Sequence, residues 1–290
     1  MFIQSLKIIR NLFDEDKLEK IEIIKKEIGK NRDEKVRELL CAGLLSIVGD
    51  LSNYRKGGNG LKRRTVIRDK EPFLEYNKKL EQIAYDLERE KRGPEPDVIC
   101  DSCLNMEEYA IDDIDLAIFS PPYANCFDPF EIYKIELWIG NFVSTYDELR
   151  TKRRRALTSN LNADINKKID KHHRSKLLTK TIDFLSEQEL WDRRIPKMLD
   201  IYFYDMNKLM SILHKKIKTG GYCAIIVGNS AYGNLVIPTD LFLAEIGEKN
   251  GFETREIIIA RKNETSSQQQ RKLGKLKEYL RESIVILENG

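Results

Sequence analysis

Apolar residues in the first part of the chain recur at three- and four-residue steps. Leu18, Ile21, Ile24 and Ile28 form one run, Val36, Leu39, Leu40, Leu44, Ile47 and Val48 a second, and Phe73, Tyr76, Leu80, Ile83 and Leu87 a third. This period lines one face of a helix, so residues 1–92 are predicted to be helical. A basic, Gly-rich turn from Arg55 to Arg64, with Gly57-Gly58-Asn59-Gly60 at its centre, interrupts the runs, and Gly93-Pro94-Glu95-Pro96 ends them. The pattern then changes. Residues 97–100 and 115–119 are short apolar runs suited to buried strands. Helices are expected over 127–142, 146–155 and 191–218, the last stopped by Gly220-Gly221, with a polar, basic loop or arm over 160–180. A strand over 222–227, a helix over 239–249 closed by Asn250-Gly251, and strands over 255–260 and 283–287 complete the chain. Alternating strands and helices predict an α/β domain over 93–290, behind an N-terminal helical region at 1–92 suited to partner docking or DNA contact. The last two strands suggest an antiparallel pair closing an otherwise parallel sheet.

Composition narrows the class only a little. The chain has 290 residues, 41% of them hydrophobic, and a formal charge of +3, so bulk charge does not mark a nucleic-acid binder. No run approaches the roughly 18–20 apolar residues of a membrane span, and the N-terminus alternates apolar and charged residues unlike a signal peptide. Five scattered cysteines do not make a disulfide framework, which points to a soluble protein of the reducing cytoplasm.

The segment richest in chemistry is Asp115-Leu116-Ala117-Ile118-Phe119-Ser120-Pro121-Pro122-Tyr123. An apolar strand runs into two prolines, which fix their own φ and stiffen the loop. Open α/β sheets place ligand chemistry at the carboxyl ends of their strands. An exocyclic amine needs two hydrogen-bond acceptors, and the Ser120 hydroxyl and the Pro121 carbonyl supply them. Tyr123 offers a ring on which a base stacks, worth about 1–3 kcal/mol. Pro-Pro alone is ordinarily a rigid turn; strand, acceptor and aromatic in this order carry the functional reading.

This loop resembles the catalytic motif of the DNA amino-methyltransferases, Asp/Asn/Ser-Pro-Pro-Tyr/Phe/Trp, and its serine form is closest to the cytosine-N4 branch, although some adenine-N6 enzymes share it. Asp97 to Ser102 resembles the family's preceding cofactor-side strand with its acidic turn. Ala124 to Asp128 and the stretch Tyr133 to Trp138 resemble the family's segment after the motif. Gly220 to Ser230 resembles the next core strand and its loop, and Arg281 to Leu287 the last strand. The resemblance implies a class I (Rossmann-like) methyltransferase sheet and S-adenosyl-L-methionine as cofactor. It implies Ser120, Pro121, Pro122 and Tyr123 as catalytic residues, and Asp101, Ser102 and Ser120 at the cofactor. DNA is the implied partner, with Tyr123, Asn125, Phe127, Arg153, Arg154 and Arg155 as candidate base or DNA contacts. It leaves open an adenine-N6 enzyme or a non-catalytic DNA-binding or specificity subunit. Methylation of RNA or of a protein side-chain amide is disfavoured by the serine and the basic arm.

The family's Gly-rich cofactor turn, Phe-x-Gly-x-Gly, has no counterpart here. Of the family's strand order 3-2-1-4-5-7-6, five strands are accounted for, and the first two are missing. The sheet is therefore expected to be incomplete, with a second polypeptide supplying two strands and the Gly-rich motif. Other candidates carry competing readings. Asp101 is either a cofactor contact or a turn cap. Cys100-Asp101-Ser102-Cys103 lacks further metal ligands and is expected to be a buried, inert pair, with no metal site in the chain. Lys152 to Arg155, continued by Lys167, Lys168, Lys171, His172, His173, Arg174 and Lys176, suits DNA phosphates, and Arg261 to Lys272 is either a base-reading or a plain polar loop.

Overall fold

The computed structural model describes residues 11–58, 60–90, 93–169, 174–262 and 273–290. Asn59, Lys171, His172, His173 and most of the Gln-rich connection, 263–272, lie outside them. The chain divides into two compact units. One is Met1–Val98 with Asp128–Thr151, the other Ile99–Phe127 with Lys152–Gly290. The contacts do not divide the chain at residue 92: the segment after the Ser-Pro-Pro-Tyr loop groups with the helical unit. The reason is apolar. Ile135, Trp138 and Ile139 are fully buried in the same cluster as Ile21, Leu44 and Val48.

In this first unit, α1 (Glu15–Gly29) buries Leu18, Ile21, Ile24 and Ile28, and α2 (Glu34–Leu51) buries Leu44, Ile47, Val48 and Leu51. Each such side chain contributes about 1.5–3 kcal/mol on leaving water. The Asp33 carboxylate caps α2 by accepting from Val36 N at 3.2 Å. The basic turn is a hairpin rather than a bare loop: β1 (Tyr54–Gly57) pairs antiparallel with β2 (Gly60–Arg63). The third helix, α3 (Pro72–Arg89), starts with proline at a position where no N–H is needed, and Glu71 caps it through Leu74 N at 2.7 Å. Two short helices, α4 (Pro129–Ile132) and α5 (Lys134–Ile139), replace the single helix expected over 127–142.

The second unit holds a four-stranded mixed sheet in the order β3-β4-β8-β7. Here β3 is Ile114–Phe119, β4 Ile217–Gly228, β7 Phe252–Lys262 and β8 Arg281–Asn289. β3 and β4 run parallel, while β8 is antiparallel to both β4 and β7. A small hairpin, β5 (Ser230–Tyr232) with β6 (Leu235–Ile237), comes after β4. The helices are α6 (Tyr146–Arg155), which begins in the first unit, α7 (Lys176–Glu187), α8 (Ile195–Lys216) and α9 (Thr239–Lys249). Cys223, Ile225, Val227, Val285 and Leu287 are wholly buried on one face of the sheet, in a cluster with Tyr202, Phe203 and Met206 of α8 and Phe242 and Leu243 of α9. Alternate residues point to the other face. There Leu116, Ile118, Tyr222 and Ile258 are 50%, 64%, 40% and 40% exposed.

Three expectations fail for identifiable reasons. Residues 97–100 form no strand and are exposed. β3 is the end of the sheet among the described residues, so this segment has no strand beside which to lie. Gly220-Gly221 does not stop the chain but lies inside β4, which starts immediately after α8. Gly220 takes φ 75°, and a Cβ on Gly221 would meet Ile114 O at 2.9 Å, so both glycines serve the irregular start of the β3–β4 pairing. Cys100 and Cys103 are free and exposed rather than buried. No helix among the described residues is long and apolar enough to cross a membrane.

Candidate active site

The carboxyl end of β3 opens directly into Ser120-Pro121-Pro122-Tyr123. Ser120 is exposed, Pro121 buried, and Pro122 and Tyr123 half-buried. The Tyr123 ring leans on the α8 cluster, and its hydroxyl donates to the Glu282 carboxylate at the start of β8. Arg261 of β7 grips the same carboxylate, Nε to Oε2 at 2.6 Å and Nη2 to Oε1 at 3.2 Å. Burial, then the Glu282 contact, push the Tyr123 phenol above its ordinary range, with the Ser120 hydroxyl acting in the opposite sense. The Tyr123 hydroxyl and Arg261 hold Glu282 below the usual carboxylate range. Tyr123 therefore stays protonated and fixed at its far end.

The residues after Tyr123 are pinned from two other elements. The buried Ala124 carbonyl accepts from Ser230 Oγ at 2.7 Å and Tyr232 Oη at 3.0 Å, both on β5. Buried Cys126 takes φ 61°, a conformation that side chains seldom adopt and that persists only where the surroundings enforce it. The Phe127 carbonyl accepts from Ser159 Oγ at 3.2 Å. Thr158, Ser159 and Asn160 are buried, and Asp205 of α8 holds this stretch by accepting from Thr158 N at 3.0 Å and Lys167 Nζ at 2.7 Å. The loop or arm expected from residue 160 is thus anchored to α8 over its first part. Two cations expected for phosphates are spent internally: Lys167 on Asp205, and Arg174 on Asp200, with Nε to Oδ1 at 2.7 Å.

The other expected site residues fare unevenly. Asn125 is exposed, but its Oδ1 accepts from Phe127 N at 3.1 Å, and Phe127 is half-buried. Arg154 and Arg155 end α6 exposed, whereas Arg153 is half-buried. Asp101 is engaged by its own turn, accepting from Tyr109 Oη at 2.7 Å, Ser102 N at 2.7 Å and Asn105 Nδ2 at 3.2 Å. These contacts, that from Tyr109 foremost, hold its carboxyl below the ordinary range. Ser102 Oγ caps the following 3₁₀ turn through Leu104 N at 3.3 Å. Both act as turn caps, and of the three expected cofactor contacts only Ser120 stands at the open end of β3. No group of three or more metal-ligating side chains occurs among the described residues.

No protein-family model matches the chain. Among curated proteins, the type II methyltransferase M.AvaI of Nostoc sp. and that of Anabaena variabilis are each 27% identical over 183 residues, covering 58% of this chain and 37% of theirs. The type II methyltransferase M.BsoBI of Geobacillus stearothermophilus is 27% identical over 215 residues, covering 66% of this chain and 42% of its own. This chain is similar to the type II DNA methyltransferases. It spans about two-fifths of the length of these relatives. Two crystal structures of a DNA modification methylase of Thermus thermophilus match at TM-scores of 0.29 and 0.32, with 12% and 16% identity. They cover 65% and 66% of this chain and 50% and 52% of that one, a similarity below the level of a shared fold.

Against the methyltransferase likeness, the site contains residues that sequence patterns did not single out. Glu282, Ser230, Tyr232 and Asp205 carry no motif of their own. Ser230 and Glu282 lie within segments already matched to core strands, but their partners, Ala124 and Tyr123, are more than 100 residues away. Only the sheet order, which places β8 next to β4, brings Glu282 to Tyr123.

Proposed function

We propose that this chain is the base-binding, catalytic half of a DNA amino-methyltransferase that methylates the exocyclic amine of an extruded base, cytosine N4, with S-adenosylmethionine as donor. The observation that carries the reading is the stiff Ser120-Pro121-Pro122-Tyr123 loop at the carboxyl end of β3, its serine exposed and its tyrosine tied at the hydroxyl. The target base leaves the duplex, because its amine is unreachable in the stack. Ser120 Oγ and the Pro121 carbonyl accept the two amine hydrogens, and the Tyr123 ring stacks on the base. These contacts draw the nitrogen lone pair out of conjugation and aim it in line, so that positioning supplies most of the rate. As the new N–C bond forms, one amine proton is released past Ser120 to solvent. The donor, when bound, would supply an electrophilic methyl group, its S–C bond breaking as the N–C bond forms and the neutral thioether leaving. The described residues fit only one side of it, since Asp101 and Ser102 are engaged in their own turn.

The other side, on this reading, comes from a second polypeptide with the Gly-rich cofactor motif and two strands, completing the class I methyltransferase sheet beside β3. The β3 edge, unpaired among the described residues, supports it. The test incubates the purified chain with methyl-labelled S-adenosylmethionine and duplex DNA, alone and with a complementary polypeptide carrying the missing motif. Transfer to cytosine N4 in the mixture alone, lowered about a hundredfold by Ser120→Ala, is expected, a scale typical of losing one oriented hydrogen bond at a reacting centre. Robust transfer by the chain alone ends the two-polypeptide reading, and near-normal transfer by Ser120→Ala ends the catalytic one.

A further inference from the structure

The β1–β2 hairpin of the helical unit has one face built into its unit and one left bare. Cross-strand partners share a face, and the register pairs Tyr54 with Arg63, Arg55 with Lys62 and Lys56 with Leu61. Tyr54 and Leu61 pack against the apolar cluster of this unit, and Lys56 on the same side pairs with Glu136 Oε1 at 2.5 Å and lies 3.9 Å from the centre of the Tyr133 ring. The opposite face holds Arg55, Gly57, Gly60 and Lys62 and nothing larger than glycine besides the two cations. Arg55 and Lys62 are exposed, as is Arg63 at the base of the hairpin, and none of the three has a carboxylate partner among the described residues. Elsewhere in the unit cations are neutralised: Arg64, Arg68 and Lys70 all converge on Asp50.

The glycines keep this face thin. A Cβ on Gly57 would lie 3.0 Å from Lys62 Cδ, so its absence lets the lysine stem cross the ribbon. Gly58 adopts φ 60° in open space, and a Cβ on Gly60 would also meet nothing. These two glycines fill no packing role, and they let a bulky anion approach the backbone.

We propose that the outer face of this hairpin, Arg55 and Lys62, together with the exposed Arg63 beside Tyr54 at its base, binds the phosphodiester backbone of duplex DNA. A two-stranded ribbon is narrow enough to enter or straddle the major groove, and unpaired cations release condensed counterions on contact. The proposal rests on the methyltransferase reading only in preferring duplex DNA to other polyanions.

The test measures fluorescence anisotropy of a labelled duplex with the full chain, without cofactor, across a salt series. The triple variant Arg55→Gln, Lys62→Gln, Arg63→Gln is compared with Lys30→Gln, Lys35→Gln, Arg150→Gln, which removes the same charge from exposed ion pairs elsewhere. The first is expected to bind at least tenfold more weakly and to flatten the log–log salt slope by about 0.9 for each phosphate no longer neutralised. The second is expected to behave as wild type. Equal losses in both, an unchanged slope in the first, a wild-type chain that does not bind, or binding to heparin as tight as to duplex each overturn the proposal. Because methyl transfer is not read, failure of the catalytic reading leaves this result standing, and the converse holds.

Discussion

The two edges of the sheet are built on opposite plans. β7 carries Glu253, Arg255, Glu256, Arg261 and Lys262, all exposed, and its charges are cross-tied, Arg255 to Glu288 at 2.6 Å and Arg261 to Glu282 at 2.6 Å. Charged side chains along an edge strand discourage further pairing. β3 has only Asp115 as a charged residue, bound by Lys218 of β4, and exposes Leu116 and Ile118. It is also half of the only parallel pair among the described strands. Parallel strands are ordinarily covered on both faces, yet the face bearing Leu116, Ile118, Tyr222 and Ile258 is bare. One edge is charged and cross-tied, and the other exposes apolar side chains and has no further strand among the described residues. The loop with the proposed chemistry leaves the second.

The strongest way to break this comparison is to attack what holds the charged β7–β8 side. Asp240 of α9 is wholly buried and accepts from Arg281 Nε at 2.9 Å and Ser283 Oγ at 2.8 Å, tying α9 to β8. Asp240→Ala leaves Arg281 without its carboxylate, and removing one partner of a buried pair costs about 3–5 kcal/mol. A urea unfolding series is expected to show a loss on this scale, and a loss below about 0.5 kcal/mol would mean that the β7–β8 side does not depend on this tie.

The next effect belongs to the open edge. Ile118→Lys places a charge on an already exposed position, so the unfolding free energy of the chain alone, from a urea series, is expected to stay within about 0.5 kcal/mol of wild type. Association with the complementary polypeptide is expected to weaken at least tenfold by sedimentation, because the charge must then be buried. Ile259→Lys, on β7 and 55% exposed, is expected to change association less than twofold. Equal effects of the two substitutions would erase the distinction between the edges.

Legibility in the sequence divides along the same line. The helix over Thr239–Lys249 and the strands around residues 222–227 and 283–287 come out where their periodic apolar residues meet a single buried face, while the strand at 255–260 forms with only Ile257 half-buried, held by its pairing with β8. The stiff loop after β3 was legible because two prolines act locally, whatever surrounds them. Residues 97–100 have the composition of a strand, but a strand exists only with a neighbour, and sequence composition does not supply one. The anchoring of Thr158 by Asp205 and of Tyr123 by Glu282 joins residues 47 and 159 positions apart, through single polar contacts that leave no period to read. Conversely, Lys167 and Arg174 read as phosphate contacts because Asp205 and Asp200 are remote in sequence, and the basic Gly-rich turn reads either as a plain loop or as a phosphate contact because no pattern distinguishes a bare face from a packed one.

The smallest predicted effect concerns the one contact that joins the loop of the open edge to the guarded side. Tyr123 donates to Glu282, and Arg261 of β7 holds Glu282 in place. The phenol is raised first by burial and next by the carboxylate, so Glu282→Gln is expected to lower the Tyr123 midpoint while leaving it above that of a free tyrosine. The difference between the ultraviolet titrations of variant and wild type isolates this one phenol, since the remaining tyrosines cancel. Glu282 is depressed in the folded chain, so its contribution to stability is present above the ordinary glutamate pKa and is lost as pH falls through the lower folded value. Tyr123 is raised, so its contribution is complete below about pH 10 and is lost only as pH climbs through the higher folded value. The gap in urea midpoint between wild type and Glu282→Gln is therefore expected to be flat from about pH 5 to pH 9 and to close at either extreme. A gap that widens in acid has the wrong sign for a carboxylate held in its charged form, and a Tyr123 midpoint indifferent to Glu282→Gln would show that the carboxylate does not hold the ring on which the base is proposed to stack.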